Sequence, residues 1–467
     1  MGPQLRAPCG VMAVPRVGYP SRMMRPRFVL PWLLVACSRP ETPPAHVTRG
    51  PNVVVGSRTA EPATVPMRTG SSAAADVGPA SSAERPAPTT PPREKAAQHA
   101  NRFALDLFRS VAKADQNTLV SGASARQSLG VVYLGARGAT AVEMERALSL
   151  SPSLDEAAAE GFHEARAYET ARGEARLRFA NRLWAERRYR FRGDFRLRAE
   201  GAFGGGFASA DFFHEPELER AAANAWVAEQ TDGRIKDLLP PGSVTVDTRL
   251  VVANAVWLKA AFRTAFQESA TTPAPFATPR GKKDVPTMHQ TASFPYYDGK
   301  LAQLVELPYD QSKLALLIVL PKAENGLAEM VKKLDEPALA EMTRFLIRTR
   351  VELSLPKFTF GWGAPLDGPL KAMGLRLAFT DKADLSGLAE LSEGKPLGLT
   401  GVFHKTFIAV DEKGTEAAAA TGVVVGVKSG VVTGQPVAFH ADHPFFFVIR
   451  DTETGRLLFT GQLHDPG

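Results

Sequence analysis

The order of elements along this chain predicts an α+β fold with antiparallel sheets. Helix-like segments come mostly early in its body, and strand-like segments crowd the later half. The 467 residues are 44% hydrophobic and 22% charged, enough apolar side chain and length to bury a sizeable core. Both cysteines, Cys9 and Cys37, lie near the N-terminus, so no disulfide staples the rest and the core must hold it. No Cys/His cluster has metal-ligand spacing, so neither a metal nor another cofactor is expected. The net charge of +7 comes with many arginines in an Ala-, Gly- and Pro-rich chain, and is read as composition rather than as a specific nucleic-acid partner.

The body starts near residue 93. Phe103, Ala104, Leu107, Phe108 and Val111 recur at helical spacing and predict a helix over 94–112. Asn117 to Val120 is strand-like. A second helix opens at Ser121-Gly122-Ala123-Ser124, with Ser124 as its cap, and runs through Leu134. A third starts near Thr140, where Glu143 completes a capping-box pattern. Leu177, Phe179, Asn181 and Leu183 alternate along a strand from Arg176 to Trp184. Ala221 to Thr231 is a helix bearing Trp226, and Arg249 to Leu258 is a long apolar strand with Asn254 inside it. Further strands are predicted at Ala302–Leu307, Leu314–Leu320, Arg350–Leu355, Thr406–Val410, Phe445–Arg450 and Arg456–Gly461, the last two joined by a turn ending in Gly455.

The most informative segment is Asp411-Glu412-Lys413-Gly414-Thr415-Glu416-Ala417-Ala418-Ala419-Ala420-Thr421. It has almost no large side chains. Its flanking glycines and β-branched residues disfavour a helix, and the Val423–Val425 run that follows favours a strand. If it became a strand, Thr415, Ala417, Ala419, Thr421, Val423, Val425 and Val427 would share one face, small at first and apolar later. The opposite face, Gly414 through Gly426, would carry a single charge, Glu416. No proline interrupts the ladder before Pro436. Taken alone, the segment is equally compatible with a low-complexity surface loop.

Several ordered motifs resolve that choice. Glu412 to Thr421 resembles the hinge of an inhibitory serpin. Asn224-Ala225-Trp226-Val227 with Thr231-Asp232-Gly233-Arg234-Ile235, and Val252 to Lys259, resemble two further serpin motifs. Leu307-Pro308-Tyr309, Leu320-Pro321, Leu355-Pro356-Lys357-Phe358, Ala383 to Gly387, His404-Lys405 and Phe439 to Phe446 fall in that family's order. Residues 93–467 are therefore identified as a serpin domain. The resemblance implies helices packed on three β-sheets with an exposed, insertable reactive loop at about 412–438. There are departures. Gly122 stands where the family usually has proline, Phe262 where it has tryptophan, and Ala260-Ala261 where it has a glycine start. These are expected to touch packing and not the loop.

The resemblance implies no enzyme but irreversible suicide inhibition. In inhibitory members the scissile bond lies about sixteen residues past the hinge glutamate, which from Glu412 reaches Lys428-Ser429. A basic residue there suits a trypsin-like serine protease, whose specificity pocket carries a carboxylate. Cleavage after Val427 by an elastase-like enzyme is the alternative. The hinge is assigned to Glu412, Gly414, Thr415, Glu416, Ala417, Ala418, Ala419, Ala420 and Thr421. Ser121, Ser124, Asn254 and His404 resemble the family's shutter, a hydrogen-bonded cluster under the sheet that opens. Serine with histidine also suggests a hydrolase, but no Gly-x-Ser-x-Gly elbow surrounds either serine. A non-inhibitory serpin acting as a carrier or binding protein is the rival reading. Such members tend to carry bulky, charged or proline residues at the hinge, and this chain does not.

Ahead of the body, Arg22, Arg25 and Arg27 precede a short apolar run, Phe28 to Ala36, ending in Leu34-Val35-Ala36-Cys37. This looks like a bacterial lipobox, so residues 1–36 are expected to be a lipoprotein signal peptide. Cys37 would take the lipid and anchor an exported protein to the membrane of the cell envelope. The absence of Asp at Ser38 favours outer-membrane sorting where there are two membranes. Met23 and Met24 are alternative starts. Residues 37–92, rich in Pro, Ala, Ser, Thr and Gly, are expected to be a disordered tether reaching about 40 Å. The arginines crowded between Arg176 and Arg198 are read as a solvated face, with a polyanion site as the alternative. A monomer is expected.

Overall fold

The computed structural model describes residues 93–203, 206–390, 396–416 and 435–467. Helix α1 (Arg93–Val111) leads through β1 (Thr118–Val120) into α2 (Gly122–Gly135), α3 (Gly138–Leu148) and α4 (Leu154–Arg172). Next come β2 (Arg176–Glu186), β3 (Arg190–Phe191), α5 (Gly193–Phe203), β4 (Gly206–Ala210) and α6 (Pro216–Gln230). Strands β5 (Leu250–Ala261), β6 (Thr272–Thr278), β7 (Gly281–Asp298), β8 (Ala302–Pro308) and β9 (Leu314–Pro321) follow, then short helices α7 (Leu327–Lys333) and α8 (Glu336–Arg344). The chain continues through β10 (Ile347–Pro356), β11 (Phe358–Pro365), α9 (Asp367–Ala372), β12 (Ala389–Glu390), β13 (Leu399–Asp411) and β14 (Gly414–Thr415). It closes with β15 (Val437–His440), β16 (Phe445–Asp451) and β17 (Leu457–Leu463). The predicted α+β class and its three sheets are present.

The large sheet runs β1-β17-β16-β9-β8-β7-β10-β15, with β6 hairpinned onto β7. The second sheet runs β11-β13-β14-β5-β2-β4, and β3 pairs β12 as a small third. The main core lies between the two large sheets, where Val256, Leu258, Ile408 and Val410 meet Leu316, Ile318, Phe445 and Phe447. The other half of the second sheet is covered by helices: Leu183, Leu250, Val252 and Val402 pack against Leu129 and Val132 of α2. On its far face, Ala253, Ala255 and Trp184 lie under Ala223 and Val227 of α6. Strand β5 is thus covered on both faces, which is why its sequence is continuously apolar rather than alternating.

Two predicted helix starts differ. Ser121, not Ser124, is the N-cap of α2, and its hydroxyl accepts from the Ser124 amide at 3.2 Å. Helix α3 starts at Gly138 with no side-chain cap. Glu143 instead accepts from the amides of Arg376 and Leu377, at 2.7 Å each, and Thr140 accepts from the Asp384 amide. Tertiary partners took the side chains that a capping box would have used.

Candidate functional site: the hinge and the seam of the second sheet

Strands β5 and β13 lie side by side and parallel through most of their length, with His404 opposite Asn254 and Thr406 opposite Val256. At one end they part. There β13 turns back at Asp411, and Gly414–Thr415 enters between them as β14, antiparallel to both: Thr415 pairs with Val410 on one side and Ala260 on the other. The seam therefore already holds the first two residues of an additional strand.

Local chemistry dictates that entry. The Asp411 carboxylate accepts from the amides of Lys413 and Gly414, closing the turn. Gly414 has φ 148°, and a Cβ there would lie 2.2 Å from the Ala260 carbonyl oxygen, so only glycine fits. Thr415 is 1% exposed and its hydroxyl meets that of buried Tyr309. Glu412 is buried too. Burial would raise its carboxyl, but hydrogen bonds from Lys357 (3.0 Å) and Thr271 (2.7 Å) outweigh it and hold the group below the usual carboxylate range. Lys357 was visible in sequence only as part of a motif; here it is the counter-charge of the hinge.

The departures expected to leave the loop untouched do touch it. Ala260 and Ala261 are the β5 residues that pair with Thr415 and Gly414. Phe262 stacks on Tyr309 at 5.5 Å, and its amide donates to the Lys413 carbonyl. The third departure, Gly122, is a close approach: a Cβ there would lie 2.4 Å from the Ala104 Cα of α1.

Ser121, Ser124, Asn254 and His404 come together at the seam. The Ser121 amide donates to His404 Nε2 at 3.0 Å, so Nδ1 carries the proton and donates to Asn254 Oδ1. The Asn254 amide nitrogen shares its two protons among Ser124 (2.7 Å), Ser128 (2.9 Å) and Asn181 (2.7 Å). Burial pushes the His404 imidazole down to about 3, so it is neutral across the physiological range. Sequence reasoning missed Ser128 and Asn181, although Asn181 sat on the inward face of a predicted strand. The cluster offers no nucleophile: the Ser124 hydroxyl donates to Asn181, and His404 accepts from a backbone amide, not from a serine hydroxyl.

Ala417, Ala418, Ala419, Ala420, Thr421, Lys428, Ser429 and Cys37 lie outside the described residues, as do residues 1–92. Among the described residues there is no group of His, Cys, Asp or Glu able to hold a metal, and no helix long and apolar enough to cross a membrane. Of the crowded arginines, Arg187, Arg188 and Arg192 pair with Asp211, Glu186 and Asp194, and Arg182 lies over Trp226 at 4.0 Å.

A sheet holding the start of one more strand at a hydrogen-bonded seam defines the class, and comparison agrees. The family model for serpin (serine protease inhibitor) matches residues 98–466, and the chain belongs to that family. It is 37% identical over 369 residues to an uncharacterised serpin-like protein of Thermococcus kodakarensis, covering 78% of this chain and 84% of that one. It is 35% identical over 385 residues to the leukocyte elastase inhibitor of Bos taurus, covering 78% and 98%. The structure of Serpin48 from the insect Tenebrio molitor superposes with a TM-score of 0.70 at 29% identity, over 79% of this chain and 98% of that one.

Proposed function

We propose that this serpin irreversibly inhibits a trypsin-like serine protease by trapping the acyl-enzyme. The protease serine attacks the Lys428 carbonyl and displaces the Ser429 amine, which leaves with a proton. The cut segment then extends β14 along the β5–β13 seam as a full strand, carrying the acylated protease with it. Distorting the oxyanion hole alone lowers deacylation by about 10²–10³-fold. The observation that carries this reading is β14 itself: Gly414 and Thr415 already pair in the register that the remaining small residues would continue. The name of the bovine relative, an elastase inhibitor, supports protease inhibition; the basic residue at 428 supports a trypsin-like target.

Incubation with trypsin tests it. A complex that survives denaturant, with a released peptide starting at Ser429, is the expected result. Clean cleavage at Lys428 without a complex would make the loop a substrate and move a carrier function ahead. For localisation, we propose export and lipidation at Cys37, which anchors the domain to the cell envelope. Replacement Cys37→Ala should move the protein from the detergent phase to the aqueous phase, and an unchanged partition would refute the anchor.

A further inference from the structure

Glu416 follows directly on β14, at the edge of the described segment. Three features of this residue are costly. It is a non-glycine residue at φ 51°, in the left-handed region. Its carboxylate is 9% exposed, yet Oε2 makes no hydrogen bond among the described residues. Its amide is committed to the Ala409 carbonyl at 2.7 Å, so the corner cannot relax without breaking a ladder bond.

One side chain compensates. Arg234 pairs with Glu416 Oε1 from a rigid turn just beyond α6. In that turn the Gly233 amide donates to the Ala228 carbonyl at 2.8 Å, and the Thr231 hydroxyl bonds Val227 and Ile235 backbone groups. Ile235 is buried under the far face of the sheet, which pins the turn. Lys259 adds positive charge nearby and Asp232 negative.

We propose that Arg234 is a positioning residue for the reactive loop: by pairing with Glu416 it holds the hinge two residues deep in the sheet before any protease is met. Without Arg234 the Glu416 carboxylate loses its ion-pair partner and keeps only the Lys259 charge to offset its desolvation. Turning it out toward water pulls on the corner and works against the Thr415–Tyr309 bond and the Gly414–Thr415 pairing. Removing the carboxylate instead leaves nothing to drive the hinge out. The two halves of one ion pair therefore act differently on the hinge, whereas a pair that only adds stability would weaken it either way.

The inference rests on the reactive-loop reading, and hydrogen exchange on the intact protein separates the two. In Arg234→Ala, amide exchange across 411–416 should rise about tenfold or more while β16 and β17 stay protected. Glu416→Ala and Arg234→Lys should exchange as wild type, and the double alanine variant should match Glu416→Ala. The rate of trypsin inhibition should rise for Arg234→Ala only, because a freed hinge lengthens the exposed loop. Equal exchange in wild type and Arg234→Ala, or a matching rise in Glu416→Ala, overturns the positioning role even if the covalent complex forms. Absence of the complex with the exchange pattern intact overturns the inhibitor reading instead.

Discussion

Acidification tests the seam directly. His404 is 1% exposed, accepts from the Ser121 amide and donates to Asn254, so it has room for only one ring proton. Its folded-state pKa is depressed to about 3 by burial, against about 6.5 in an unfolded chain. Between these values the unfolded chain binds a proton that the folded one refuses. Stability is therefore full above about pH 6.5 and falls as pH drops toward 3. From pH 8 to pH 5 the loss due to this one residue is roughly 2 kcal/mol. Other groups titrate in the same range, so the measurement is a difference: denaturant unfolding of wild type and His404→Gln at each pH. The gap between them should shrink by about that amount at pH 5. An NMR titration should show the His404 ring shifts flat from pH 8 to 5. A gap independent of pH, or His404 titrating above pH 6, would refute the neutral, doubly bonded imidazole.

Two other outcomes follow from the geometry, and a third from the proposed reactive bond. Thr415→Arg places a charge where the side chain is 1% exposed between Ala260 and Val410; it should lower the yield of covalent trypsin complex about tenfold in favour of cleaved protein, read on a denaturing gel. Lys428→Leu should slow trypsin inhibition by about 10²-fold or more while leaving thermal stability unchanged, measured by progress curves and calorimetry. Arg126, 1% exposed, pairs with Glu164 at 2.5 Å and Glu160 at 3.2 Å; Arg126→Ala strands both carboxylates and should cost about 3–5 kcal/mol in denaturant unfolding.

What the sequence shows and hides has physical causes. The long strands β5, β9 and β16 are mostly apolar runs and read as strands at once. Helix α4 was missed because its buried face carries charge: Glu160, Glu164 and Tyr168 line it at helical spacing, and only Arg126 on α2 makes that face an interior one. Strands β6 and β7 contain Pro273, Pro275, Pro286 and Pro295, and β11 alternates with Gly361 and Gly363, all signals against a ladder. At the seam, Asn254 stood out as a polar residue in an apolar run, and Asn181 carried the same signal on its neighbour strand. Arg234 and Glu416 each stood in a recognised motif, but nothing in the sequence paired them, since a basic turn residue and a hinge glutamate lie far apart along the chain. Only the packing of α6 over the sheet brings them together.

The same packing bears on why an uncut loop would stay out. Full insertion would exchange the parallel β5–β13 pairing for two antiparallel ladders, a gain in both number and kind of hydrogen bonds. The described state is thus one strand short of the best-bonded sheet, and what holds it there must lie along the path. That path passes buried Thr406, whose hydroxyl donates to the Leu119 carbonyl rather than across the seam, and then meets Asn254 and His404, whose side-chain bond spans it. Parting the strands breaks that bond and leaves two buried polar groups unpaired until the new strand arrives, at about 1–3 kcal/mol each. The cluster is therefore a barrier that need not change the end states. Asn254→Ala should then speed insertion of an uncut loop more than it lowers the stability of the inserted form. Incubation at moderate temperature, followed by native gel and heat-resistance assays, measures this directly. Unchanged conversion in that variant would place the barrier elsewhere, at the Glu416 corner.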